Sequence, residues 1–434
     1  MHQAGLLKEG GAAAARSYEV WVEFGTAGPR FSRACCSLPE RGKGNGFLCL
    51  FPQAYSKNYG LPRERRLRSL WCLAAQRKGM AIRMKTKLIG LGLLAAVIVA
   101  AALYAVISQN QAVTEINGYV GGEKIGLLDD DEVQDLLRSR YHLVIDYTKA
   151  GSIEMIGADL EGRDFLFPSN QTALELYEQA HGSPMRSEIV FNTPIVLYTR
   201  QEVAQAMQEI GLVREQDGVQ YVDVEKLAGL IEDGVSWAEI GLPQLYGNVA
   251  VSTTDPSKSN SGNMFAGLLA NALAGGVAEE EDLPDLLPRL KDVFGKLGYM
   301  ESSSADLFDQ FLKTGMGAKP LIAGYESQLL EFAVEEPETW EQLSSDVVML
   351  YPVPTVWSSH VFIALDEAGS AGIDALLDED VQRLAWEKHG FRTGVYGTPS
   401  GEAHFGVPGV ALDLTQVSPM PGAGVMEEII AALE

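Results

Sequence analysis

The chain has 434 residues and four cysteines, and Cys35, Cys36, Cys49 and Cys72 all lie near its start. Beyond Cys72 there are none. That excludes a disulfide framework, a thiolate metal site and a cysteine nucleophile from the main body. Signatures of catalysis are missing as well. The sequence has no GxSxG, no HExxH, no phosphate loop and no GxGxxG following a strand. The later histidines, His142, His181, His360, His389 and His404, fall in different segments without ligand spacing and are expected to be surface or packing residues. No cofactor, no metal and no catalysis are expected.

Positive charge is scarce after the first quarter. Of 34 Lys+Arg and 58 Asp+Glu, the first 108 residues hold 16 and 5. That leaves 18 and 53 for the remainder, a formal net charge of −35. A body so acidic repels nucleic acid and anionic lipid faces, so neither is expected as a partner. Long uncharged runs are also rare. The exception is Leu88–Ile107, LIGLGLLAAVIVAAALYAVI, with 20 residues. At about 1.5 Å per residue it just spans a hydrocarbon core of about 30 Å. Arg83, Lys85 and Lys87 precede it, which places the body outside the cytoplasm. Residues 84–108 are therefore expected to be a signal or anchor helix, cleaved or retained. No cysteine follows it, so a lipid-anchored amino end is not expected. Residues 1–83 are basic and aperiodic. They fit either an extension upstream of a start at Met84 or a disordered cytoplasmic tail.

After a polar connector over 109–126, strand-like and helix-like stretches alternate. YHLVIDYT, RDFLFPSN and SEIVFNTPIVLYT are expected strands, and QTALELYEQAHG and QEVAQAMQEIG are expected helices. AGSIEMIGADLEG is expected to be a loop and a helix, and NVAVSTT (248–254) a strand. Further on, KPLIAGYESQLLEFA is expected to run strand–turn–helix, and 346–366 to hold two strands around a proline bend. The rhythm predicts an α/β fold of mostly parallel sheets flanked by helices.

Four strand-to-helix turns are crowded with small polar residues. They are Lys149-Ala150-Gly151-Ser152, Pro168-Ser169-Asn170-Gln171-Thr172, the stretch STTDPSKSNSGNMF from Ser252, and Gly324-Tyr325-Glu326-Ser327. Such turns lie at the carboxyl edge of a parallel sheet, where helix amino ends offer unpaired N–H groups to a polar ligand. Each also fits an ordinary helix cap. In the third turn, Met264, Phe265, Leu268, Leu269, Ala272 and Leu273 fall at helical spacing as a buried face. Ser259, Asn260 or Ser261 is the expected cap, and Gly262 allows close backbone approach.

The order of these turns, together with LLDEDVQRLAWEKHGFRTG, resembles the type II periplasmic solute-binding proteins of ABC importers over roughly 115–434. The likeness leans toward the branch that binds molybdate, tungstate and related oxyanions. The resemblance implies two α/β lobes: lobe one over 127–199 and 352–434, and lobe two over 200–351. It places Ser152, Ser169, Asn170, Ser259, Asn260, Ser261 and Tyr325 around the ligand, with Thr253 and Thr254 ending the strand nearby. Trp357 and Ser358 would line the cleft at the second crossing between lobes. Glu154 and Glu326 are expected to face outward, since inward they would oppose an oxyanion. The partners implied are a small-molecule or anion ligand, ABC permease subunits and the membrane through the amino-terminal helix. A monomer is expected. A membrane-anchored extracellular sensor using the same cleft is the rival reading.

Overall fold

The computed structural model describes residues 94–101, 113–394 and 404–434. Residues 94–101 are helical and exposed, and the rest of the expected anchor segment lies outside the described residues, as do 1–83. Among the described residues no helix is long and apolar enough to cross a membrane.

Two sheets are built around one long strand. β4, Arg186–Arg200, pairs antiparallel with β9, Thr355–Ala364, through its first half. Its second half, Ile195–Arg200, pairs antiparallel with β7, Leu321–Tyr325, and β8, Val347–Val353. The first sheet continues from β9 through β3, Phe165–Phe167, and β1, Thr114–Val120, to β2, Leu143–Lys149, with β1 parallel to both β2 and β3. The second continues from β8 to β6, Val219–Asp223, in parallel, and then to β5, Val213–Gln216, as a hairpin. A two-residue strand, β10 at Val417–Ser418, adds to the start of β9.

Both faces of each sheet are covered: successive side chains point to opposite faces, and here both sets are apolar. Phe165, Phe167 and Phe362 point into one core of the first sheet, where Phe165 and Phe362 stack with centroids 4.6 Å apart. Leu166, Val361 and Ile363 point to the opposite face, onto Met155 and Tyr177. The second sheet is flanked in the same way by two larger apolar clusters.

The connector expected over 109–126 contains strand β1. Only Ile116, Gly118 and Val120 face inward there, between polar neighbours, and three alternating positions gave the sequence reading too little periodicity to register. After β1 the chain turns through Gly122–Lys124 into a short helix, α1 (Ile125–Asp129), and then α2 (Asp131–Tyr141), which Asp130 caps through the Glu132 and Val133 amides. The helix expected after Ser152 shrinks to one 3₁₀ turn, Glu154–Ile156. The expected strand at 248–254 is an extended segment. It makes single bridges, Ser252 to Ile322 of β7 and Thr254 to Glu301, instead of a continuous ladder.

Three of the later helices position the site; α4 (Gln201–Glu209), α5 (Val224–Glu232), α7 (Leu283–Lys296), α10 (Pro337–Leu343) and α11 (Glu367–Leu376) lie between and after them. α3, Gln171–His181, follows β3. α6, Asn260–Ala274, is buried along almost its whole length, Met264, Phe265, Leu268 and Leu269 included. α9, Glu326–Glu335, leaves β7 directly and packs beside α8, Ser304–Thr314, with Phe332 edge-on to Phe308. Glu326 faces neither outward nor into the cleft. It is fully buried and takes a two-pronged pair from Arg392 at 2.6 and 2.7 Å, and the Tyr351 hydroxyl donates to it as well. A carboxylate at that depth requires such partners.

Gly262 meets the expectation of close approach. A β-carbon there would strike the Thr254 carbonyl and come within 2.9 Å of Pro256 N, both of them backbone atoms that cannot yield cheaply. Gly262→Ala should therefore cost roughly 1–3 kcal/mol of stability, read as a lowered urea midpoint at unchanged m value.

Candidate functional site

A cavity of about 590 Å³ opens between the two sheets. One wall is Gly121–Glu123, Gly126, Lys149–Ser152 and Glu154, all carried by the first sheet. The other is Lys258–Asn260, Ser302–Ala305, Phe308 and Asp309, with Ser327, Gln328, Glu331, Phe332 and Glu335 from α9.

Asn260, the first residue of α6, reaches across between the walls. Its Nδ2 donates to the Ser169 carbonyl at 3.2 Å, to the Tyr325 hydroxyl at 3.0 Å and toward Ser358 Oγ at 3.5 Å. Its Oδ1 accepts from Asn170 Nδ2. Ser358 Oγ in turn donates to the Ser169 carbonyl at 2.6 Å. Asn170 also caps α3, accepting from the Ala173 amide at 2.7 Å. Ser152 Oγ accepts from the Ser169 amide at 2.9 Å, tying the first two turns together.

Of the residues expected from sequence, Ser169, Asn170, Asn260, Tyr325 and Ser358 thus meet in one network, with Ser152 attached to it through Ser169. Ser152, Ser259 and Asn260 also line the cavity. Ser261 pairs with Thr254 Oγ1 at 2.7 Å and with Ser259 Oγ at 3.1 Å. Ser259 holds the cap position of α6 without a side-chain cap bond. Thr253 is buried with its hydroxyl unpartnered among the described residues. Trp357 lies apart. It lines a separate hollow of about 330 Å³ with Gln171, Glu175, Pro419 and Met420. Glu154 lines the cavity, where its Oε2 accepts from the Gly151 amide at 3.1 Å.

The sequence reading missed Lys124 and Glu123, which sit in the supposed connector. Lys124 is fully buried, and its ammonium donates to Glu123 Oε1 at 2.6 Å and to Ser169 Oγ at 2.7 Å. It lies 3.2 Å from His360 Nδ1 and 4.9 Å from the centroid of the Phe167 ring. Burial pushes the Lys124 ammonium below the usual lysine range, and the Glu123 carboxylate opposes that shift. Burial also holds the His360 imidazole well below its ordinary value, and the Lys124 charge adds to this. His360 is therefore neutral, accepting at Nδ1 and protonated at Nε2. The signal available in the sequence was the pair of glycines before Glu123. A β-carbon at Gly121 would lie 2.6–2.8 Å from Glu123 Oε1, Ser169 Oγ and Lys124 Nζ.

The cavity lining is mixed in charge. Glu123, Glu154 and Lys149 lie on one wall, and Lys258, Asp309, Glu331 and Glu335 on the other. Burial raises the Glu335 carboxyl above its usual range, with the neighbouring Glu331 adding to the effect. Glu331 is tied to His389 Nδ1 at 2.6 Å, and Lys258 to Asp255 at 2.5 Å. Among the described residues no group of three or more metal-ligating side chains is arranged to hold an ion.

No family model matches the sequence, and no curated protein matches it. Solved structures do match. The sulfate-binding protein SubI of Mycobacterium tuberculosis is 16% identical, with the likeness covering 74% of this chain and 96% of that one at a TM-score of 0.43. The substrate-binding protein of an ABC transporter from Agrobacterium tumefaciens is 13% identical, covering 75% and 95%, at 0.48. The Trichodesmium protein IdiA (FutA), solved with iron and citrate, is 11% identical, covering 74% and 98%, at 0.48.

Burial raises the Tyr325 phenol well above its usual range, the Glu123 charge adds to this, and the Asn260 hydrogen bond opposes it. The folded protein thus keeps a proton that the unfolded chain loses near pH 10, so this contribution is whole below pH 10 and declines above it. Tyr325→Phe should reduce the fall in stability between pH 10 and 11 by about 1 kcal/mol, measured by urea unfolding.

Proposed function

We propose that the chain is an extracytoplasmic solute-binding protein. It captures a small polar solute between two lobes and hands it to the permease of an ABC importer, without chemistry on the solute. The expected lobes shift in this reading: lobe one is built on the first sheet, with β4 up to Pro194, and lobe two on residues 195–353, while Val425, Met426 and Ile429 of the carboxyl-terminal helix pack on the core of lobe two. The hinge lies where β4 passes between sheets and where β8 gives way to β9. Closure over a ligand at such crossings needs only a few backbone torsions.

The observation that carries this reading is the reach of Asn260. One side chain from lobe two bonds the carbonyl of Ser169 and the amide of Asn170 in lobe one, above a cavity of solute size. Neutral donors and helix amino ends at such a junction replace a solute's hydration shell as the lobes meet. An oxyanion, the class that the family resemblance implied, would enter the part of the cavity lined by Glu123, Lys149 and the start of α6. The 20-residue apolar run at 88–107 favours a second reading, an anchored extracellular sensor using the same cleft.

The test is a thermal-shift screen of the protein against oxyanions, carboxylates, amines and sugars, followed by calorimetry on each ligand found. Asn260→Ala should weaken the bound solute at least tenfold, about 1.4 kcal/mol. Unchanged affinity in that variant would remove Asn260 from the closing contact and sink the proposal.

A further inference from the structure

We propose that the Glu123 carboxylate occupies the anion position of this cleft, so that a solute carrying an anionic group binds by displacing it. The inference rests on the solute-binding reading above. It adds the ligand's chemical class and a brake built into the site.

The Lys124 ammonium has no exposure, and of the groups around it only Glu123 lines the cavity. Its charge therefore reaches the cleft through that one carboxylate. Glu123 Oε1 lies 2.6 Å from Lys124 Nζ and 3.6 Å from His360 Nδ1, and its side chain is 14% exposed. A solute carboxylate or oxyanion placed there would meet the same ammonium, so Lys124 stays paired before and after exchange. That matters because a buried charge stripped of its partner costs several kcal/mol. The cradle is also open in shape. Gly121 contributes no side chain at a point where a β-carbon would collide with all three polar groups. His360 gives its Nδ1 lone pair to Lys124, and its Nε2 is fully buried with no partner among the described residues. The site is thus built around a buried ammonium whose counter-charge is Glu123. Glu123 sits beside Lys124 in the chain, on a turn entered through two glycines, and competes with solute at high effective concentration.

The experiment compares the full chain with Glu123→Gln by calorimetry and thermal melting. The probes are sulfate, phosphate and succinate, with ribose as the neutral control. At least one anion should bind the variant tenfold or more tighter than the parent. It should also raise the variant's melting midpoint more, because it restores the counter-charge that the substitution removed. If Glu123→Gln folds poorly without anion, Glu123→Asp supplies the second measurement, with a smaller gain in anion affinity expected. Sulfate or phosphate responding without succinate assigns an inorganic oxyanion, and the reverse assigns a carboxylate. Anion affinity that is equal or weaker in the variant overturns the brake. Ribose bound equally by both proteins, with no anion bound, overturns it and leaves solute capture standing. No binding of any solute class by either protein overturns both.

Discussion

A lysine ammonium without exposure is the constraint around which the centre of this protein is arranged. Lys124 has to be paired where it lies, since an isolated charge in a protein interior is far too costly to keep. Glu123 supplies the opposite charge, Ser169 an oxygen acceptor and His360 a neutral nitrogen. Each of these obligations fixes something else. Ser169 must sit at the end of β3, which sets the turn into α3. His360 must stay neutral, which burial and the adjacent charge both enforce. Gly121 must lack a side chain. The polar turns that look like surplus capping in the sequence are, at Ser169, committed to the Lys124 ammonium, which no sequence periodicity places there.

The second sheet is joined to this centre through side chains of short reach. Asn260 has two rotatable bonds and amide atoms of both kinds, so it accepts from Asn170 while donating to a carbonyl and a phenol. It can do so only because α6 begins where it does, and that start depends on Gly262 lying against the Thr254 backbone. Farther down, Arg392 and Glu326 join the start of α9 to the chain that follows α12, Glu379–Glu387. Arg392 also holds the Ala411 and Leu412 carbonyls. The two ties differ in kind. The Glu326 pair is fully buried and strongly paired, suited to a permanent joint. The Asn260 contacts are neutral and only partly buried, the weaker class of bond and the one suited to breaking and remaking.

Much of this was legible in the sequence, and the limits follow from what periodicity can report. β4 and the helices Gln171–His181, Glu326–Glu335 and Glu379–Glu387 stand out because their apolar residues recur at two or 3.6 positions over enough length. Ser169, Asn170, Asn260 and Tyr325 were recoverable because small polar residues at strand-to-helix turns have a physical use. β1 was lost because three inward positions, one of them glycine, make too faint a pattern. Lys124 was lost for a related reason: its burial is decided by Phe167, Ser169 and His360, which are remote in sequence. Trp357 was placed at the crossing, but an alternating strand shows its neighbours to opposite faces. Ser358 turns toward Asn260 while Trp357 turns to the hollow beside Pro419.

Ser259-Asn260-Ser261 shows how an over-supplied helix start divides its work. A single side-chain cap would satisfy one or two amides, yet Ser259 at the cap position makes no side-chain cap bond. Ser261 spends its hydroxyl on Thr254, fixing the strand end against the first turn, and Ser259 bonds Ser261 while facing the cavity. Asn260 spends its amide on the opposite wall. The first-turn amides of α6 are thereby left without side-chain acceptors at the mouth of a cavity that also holds Lys149 and Lys258. A helix start organised in this way gives up local capping stability, ordinarily about 1 kcal/mol, and leaves its partial positive charge at the cavity wall.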